Sequence, residues 1–142
     1  MKNLRSQIKA VCDKHPTLGV GGFGTSWRSD EETGIRDLLD KSDDIAFVIK
    51  WLSDIEKIKN ITQSCGSSYR LKHTIEPYSP NKYIANGVFI VGALIAGFKF
   101  ERTNSDSPNA YFNMSCKSIQ RKLGKSLPFE TGYSCQSMAI EL

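Results

Sequence analysis

The sequence predicts a mainly α-helical fold, a single compact helical domain over 1–142 with room for one small β-hairpin near 98–114. Three observations carry that expectation. Apolar residues recur at helical spacing in several separate stretches. The most apolar stretch, YIANGVFIVGALIAGF (Tyr83–Phe98), runs sixteen residues with Asn86 as its one strongly polar member, the pattern of a helix buried on all sides. Only the short run FKFERTN, residues 98–104, alternates as a strand does.

Taken in order, Leu4, Ile8, Val11 and Cys12 place a first helix over 3–14, stopped by Pro16. The glycine-rich stretch TLGVGGFGTSW (17–27) reads as a loop. Ser29 and Glu32 have capping-box spacing and introduce a short helix with Ile35, Leu38 and Leu39 inward. SDDIAFVIKWLSDIEKIKN (42–60) reads as one long core helix. Ser42 is its cap, Asp43 and Asp44 complement its positive end, and Lys57 and Lys59 lie in its last turn. Ile45, Val48, Ile49, Leu52 and Ile55 form its stripe, which Phe47, Trp51 and Ile58 widen. SSYRLKHTIE (67–76) is a further short helix ended by Pro77, with Tyr69, Leu71 and Ile75 inward. The apolar helix follows and closes at Gly97. FKFERTN and AYFNMS are candidate hairpin partners across the turn SDSPN. Ser115 caps a last helix, CKSIQRKL, which Gly124 ends.

Length, a hydrophobic share of 39% and a charged share of 24% are those of a globular chain with one core. Nineteen Lys and Arg against fifteen Asp and Glu give a net charge of +4, which permits an anionic partner without requiring one. Charge is unevenly placed: 30–44 holds seven acids against Arg36 and Lys41, and 99–125 holds six bases against Glu101 and Asp106. Cys12, Cys65, Cys116 and Cys135 form no CxxC pair, and the charged start MKNLRSQIKAVCDKH is unlike a signal peptide. The expected location is cytoplasmic, with the cysteines reduced and buried.

A membrane span needs about 20 apolar residues, so Tyr83–Phe98 with its three glycines is expected inside a protein core, not a bilayer. Gly19, Gly21 and Gly24 satisfy GxGxxG, but no strand-to-helix context surrounds them, so tight packing or a loop explains them better than a nucleotide. Gly124-Lys125-Ser126 ends like a P-loop, yet Ile119 stands where its first glycine belongs. Two histidines, His15 and His73, lack partners at metal-ligand spacing, and no nucleophile–base set is marked out. No metal, no cofactor and no enzymatic activity are therefore expected. The apolar helix also makes a poor DNA reader, because a recognition helix must offer polar side chains to the groove. Lys117 and Arg121, four apart, share one face of the last helix and could meet phosphates.

The run WLSDIEKIKNI, SSYRLKHTIE, YIANGVFIVGALIAGF and SPNAYFNMSCKSI resembles a group of small proteins carried on plasmids and prophages. That group has the pattern SYxLKH…E…Y(I/V)xNGxxIxAAxxxGF…PNxxFNxS. The likeness covers about residues 45 to 120 and departs from the pattern at Gly92, where alanine is expected. It implies an accessory protein of a mobile element. On that basis the expected function is a non-enzymatic inhibitor that binds a host defence protein or nucleoprotein complex, as anti-CRISPR proteins do. The alternative is a DNA-binding accessory or regulatory protein. The expected partner-binding residues are Arg70, Lys72 and His73 on one helix and Lys117, Arg121 and Lys122 on another, with Asn109 and Asn113 as secondary candidates that the resembling group shares. Nucleic acid contact through the basic face and a homodimer both remain open, and no membrane contact is expected.

Overall fold

Asn3 accepts the Ser6 amide at 2.8 Å through its side chain and so caps the first helix, α1 (Leu4–Lys14), which buries Ile8 and Cys12. The structure, a computed structural model, describes residues 3–24, 31–102 and 104–124. After α1 come two short antiparallel strands, β1 (Leu18–Gly19) and β2 (Gly22–Phe23), then α2 (Glu31–Leu39) and α3 (Ser42–Leu52). The chain continues as β3 (Lys57–Thr62), α4 (Ser68–Ile75), a 3-10 turn over Glu76–Tyr78, and α5 (Asn86–Ile95). It ends with β4 (Phe100–Arg102), β5 (Ala110–Met114) and α6 (Cys116–Leu123). The expected capping box at Ser29, the Gly124-Lys125-Ser126 run beyond its glycine, Trp27 and Cys135 lie outside the described residues.

The architecture is mixed α/β, which corrects the mainly α expectation: among the described residues, helices accompany a two-stranded and a three-stranded sheet. The larger sheet has the order β3-β5-β4, antiparallel throughout, so the hairpin of β4 and β5 gains a third strand from far upstream. That third strand is the segment read as the second half of a long core helix. Ile58 and Ile61 are three apart, a helical spacing, so no two-residue period marks Lys57–Thr62, and only the residue types, two isoleucines and a threonine, favour a strand. The helix stops where Ser53 bonds back to the Lys50 carbonyl through both its amide and its hydroxyl, at 3.2 and 2.7 Å. Lys122 completes the stop by donating to the Trp51 carbonyl at 2.6 Å and to Asp54 at 2.7 Å. Ile58, expected on the core stripe, is thus a strand residue 39% exposed, and Lys41 rather than Ser42 holds the cap position of α3.

α5 is the centre of the core. Every residue from Asn86 to Ala93 is buried, and α1, α3, α4 and β2 all pack on it. The helix begins at Asn86, because Tyr83 to Ala85 precede it as extended chain, and no described helix is long and apolar enough to cross a membrane. Two glycines set its distances to its neighbours. At Gly87 the β1–β2 turn lies directly against the helix: Gly87 donates its amide to the Val20 carbonyl at 2.6 Å, and a Cβ there would overlap the Gly19 carbonyl oxygen. Residues 18–23 of the glycine-rich stretch, expected as loop, are therefore a hairpin seated on a helix start with its turn carbonyls inward. At Gly92 a Cβ would stand 2.5 Å from Val48 Cγ1 of α3. The departure of the sequence from the resembling pattern at this position thus accompanies a close α3–α5 approach.

Cys65 and Cys116 form a disulfide with Cα atoms 5.3 Å apart, correcting the expectation of four reduced thiols. It ties the loop before α4 to the first residue of α6. Cys65 Sγ also lies 3.4 Å from the Met114 carbonyl oxygen, a contact that becomes a hydrogen bond only when the sulfur carries a proton. Cys12 is free and buried, and burial, helped by Asp13, pushes its thiol up to about 11, so it is inert at neutral pH.

Gly92→Ala is expected to destabilise the protein by about 1–3 kcal/mol through overpacking against Val48. Adding Val48→Ala should recover part of that loss, which urea denaturation of both variants would reveal as non-additivity.

Candidate functional site

Helix α4 buries Ser68, Leu71, Lys72 and Ile75, the i, i+3, i+4, i+7 stripe of one face. Ser68 fixes the helix to the sheet by accepting the Ala110 amide at 3.1 Å. Lys72 is carried into the stripe by this phase and is 4% exposed. A buried ammonium needs compensation, and it has three sources. Its Nζ lies 3.0 Å from Glu76 Oε2, and it sits 5.1 Å from the Tyr69 ring centroid and 4.8 Å from that of Tyr83.

Glu76 is the hub of the group. Oε2 accepts from Lys72 and from the Ile84 amide, both at 3.0 Å, while Oε1 meets His73 Nδ1 at 2.7 Å. Desolvation pushes this carboxyl up, but the Ile84 amide, Lys72 and His73 together outweigh it and hold the group below its ordinary range. An ionised carboxylate only accepts, so His73 Nδ1 is the donor in this contact. Around this charged centre stand Tyr69, 50% exposed and perpendicular to the His73 ring at 4.5 Å, and Tyr83, 56% exposed. Tyr78, in the turn that follows α4, is half exposed as well. The arrangement can hold aromatic rings at fixed positions on the surface and can present an oriented imidazole.

The predicted site residues divide. Arg70 and His73 are exposed on α4, whereas Lys72 is an interior charge that a partner meets only through the tyrosines covering it. On α6, Lys117 is exposed, and Arg121 is exposed 3.6 Å from Glu56. Lys122 is committed to the end of α3 and lies 4.4 Å over the Trp51 ring. Asn113 is 3% exposed and stitches the sheet together, accepting the Lys99 amide at 2.7 Å and donating to the Ile58 carbonyl at 2.9 Å. Asn109 accepts from Asn86 at 2.9 Å, and Asn86 also donates to the carbonyls of Gly21 and Pro108 at 3.1 and 3.3 Å. Both predicted asparagines therefore hold the fold together.

Sequence reasoning missed Tyr69, Glu76 and Tyr83, and it placed Tyr69 inside and Lys72 outside. The signal available was the spacing 68, 71, 72, 75 together with an acid four residues after Lys72, which is where an interior lysine finds its partner on a helix. Compared with family models, with curated proteins and with solved structures, the chain matches none.

Glu76→Gln should cost about 3 kcal/mol at neutral pH, because it leaves Lys72 charged and unpaired in the interior. Since the folded state depresses the Glu76 carboxyl, its contribution is full above its ordinary value of 4.5 and is lost as pH falls through the lower folded value. The stability gap between wild type and Glu76→Gln, followed by urea midpoints, should therefore narrow only below pH 4.5.

Proposed function

We propose that this chain is a non-enzymatic binding protein of a mobile element that works by occupying a host defence nucleoprotein complex, as an anti-CRISPR-type inhibitor does. The mobile-element context rests on the resemblance of residues 45 to 120. The observation that carries the binding reading is the character of the surface built by the second half of the chain. Residues 57–124 contain ten Lys and Arg against three Asp and Glu; setting aside the interior pair of Lys72 with Glu76 and Lys122, which is bound to Asp54, eight bases stand against Glu101 and Asp106. Half-exposed tyrosines stand on the same half, with Arg70 and His73 among them. Tyr and Arg dominate the energetics of protein interfaces, and a basic field favours partners that display phosphates or acids.

The mechanism is occlusion: the face docks where target nucleic acid or a nuclease would otherwise sit. The acidic run of 30–44, whose Asp37, Asp40 and Asp43 are exposed, supplies a second sign of charge that suits a mixed protein and nucleic-acid surface. A DNA-binding regulator is the competing reading, and Lys117 and Arg121 are the exposed bases that favour it. Against it stands the burial of α5, which leaves that helix unable to enter a groove.

Tagged protein should capture an identified defence complex from a host lysate, and capture should survive nuclease treatment. The double variant Lys117→Glu with Arg121→Glu should fold normally and reduce capture roughly tenfold at low salt. Capture of nucleic acid alone, lost after nuclease, would replace the inhibitor reading with the DNA-binding one.

A further inference from the structure

We infer that Tyr69 and Tyr83 form a stacking platform for single-stranded nucleic acid, with Lys72 fixed between them as the charge that holds the two rings in place. The inference rests on the reading above and names which component of a nucleoprotein the α4 face touches. Three features carry it. First, the two rings come from different parts of the chain, α4 and the extended approach to α5, yet both lie close to one ammonium, at 5.1 and 4.8 Å. Their inner faces are engaged by Lys72, and about half of each side chain remains open to solvent. Two neighbouring bases of one flexible strand can reach two such rings, whereas bases inside a duplex have no free faces to offer.

Second, the rings are held without being buried. Lys72 is clamped by Glu76, Glu76 is clamped by the Ile84 amide one residue after Tyr83, and the His73 ring packs perpendicular to that of Tyr69. Little side-chain freedom is left to lose on binding, which is what makes an aromatic surface effective. Third, the charge is complementary to a phosphate backbone. Arg70 is exposed next to Tyr69, and Lys82, whose Nζ donates to the Pro77 carbonyl at 2.8 Å, is exposed next to Tyr83. Of the acids facing this region, Glu76 is paired on both oxygens, and Asp44 is directed to Asn81 at 3.5 Å. A partner protein would also find tyrosines and an arginine here, but two half-exposed rings held by one lysine, with Arg70 and Lys82 exposed beside them, favour a polyanion carrying π faces.

The test is fluorescence anisotropy of the purified chain with a labelled thymidine oligonucleotide of about sixteen nucleotides, the upper site size for such platforms, and with the matching duplex. Preference for the single strand is expected. Tyr69→Ala and Tyr83→Ala should each weaken binding roughly tenfold, while Tyr69→Phe and Tyr83→Phe stay within about twofold, since the ring and not the hydroxyl stacks. Circular dichroism would confirm that each variant is folded. Absence of oligonucleotide binding, equal affinity for duplex, or indifference to the alanine variants overturns the inference. Loss of defence-complex capture in the alanine variants without any oligonucleotide binding also overturns it, assigning the face to protein while leaving the inhibitor reading intact. Tyrosine-dependent oligonucleotide binding without any capture of a complex upholds the platform and removes the inhibitor reading instead.

Discussion

The structure depends on how closely α5 is approached. A helix of about ten residues rises only about 15 Å, so for it to serve as the core, its neighbours must touch it on every side. Two glycines permit that. Gly92 lets α3 lie where Val48 would otherwise collide with a methyl group, and Gly87 lets the β1–β2 turn sit on the helix start with a backbone hydrogen bond to Val20. Asn86, between the turn and the Pro108–Asn109 segment, joins the hairpin and the start of β5 to the same helix end through a single amide group. The core is thus organised around backbone contacts as much as around side-chain burial.

The middle strand β5 carries the sheet into the core, burying Ala110, Phe112 and Met114 with Phe112 packed on Phe89 of α5, whereas β3 is attached by polar stitches. β3 is exposed along most of its length, and what holds it is pairing to β5, the Asn113 side chain on the Ile58 carbonyl, and the α6 start. There Ser115 donates its amide to the Glu56 carbonyl, and Ser118 accepts the Glu56 amide at 3.0 Å. The disulfide crosses the same region. Hydrophobic patterning does not register such a strand, because patterning detects faces that are buried, and β3 has little to bury.

That explains which parts of the fold were legible. Helices α1, α5 and α6 follow from periodicity and from caps such as Ser115 and Gly124, whose left-handed φ of 74° is the conformation glycine adopts most easily. The boundary at Leu52 was not legible, since Ile55 and Ile58 continue the helical spacing by coincidence and the real stop depends on Lys122, distant in sequence. The pairing of Cys65 with Cys116 was equally hidden, because sequence spacing carries no information on which thiols meet. On α4 the burial phase was misread. Residue type argued for tyrosine inside and lysine outside, whereas the stripe of Ser68, Leu71 and Ile75 dictates the reverse.

The inversion also shapes the surface that α4 presents. A lysine in the interior and tyrosines at the surface is an arrangement that stability alone gives little reason to build, because a hydrophobic residue at 72 would avoid the desolvation that Lys72 undergoes. With Lys72 present, Glu76 must remain ionised, and the Ile84 amide and His73 hold it so. The same contacts draw the start of α5 and the Tyr83 ring toward α4. A charge that destabilises the core locally thereby fixes two aromatic rings and one imidazole in a defined surface geometry. Natural proteins depart from local rules of burial most often where a surface has work to do, and the α4 face is where this chain makes that departure.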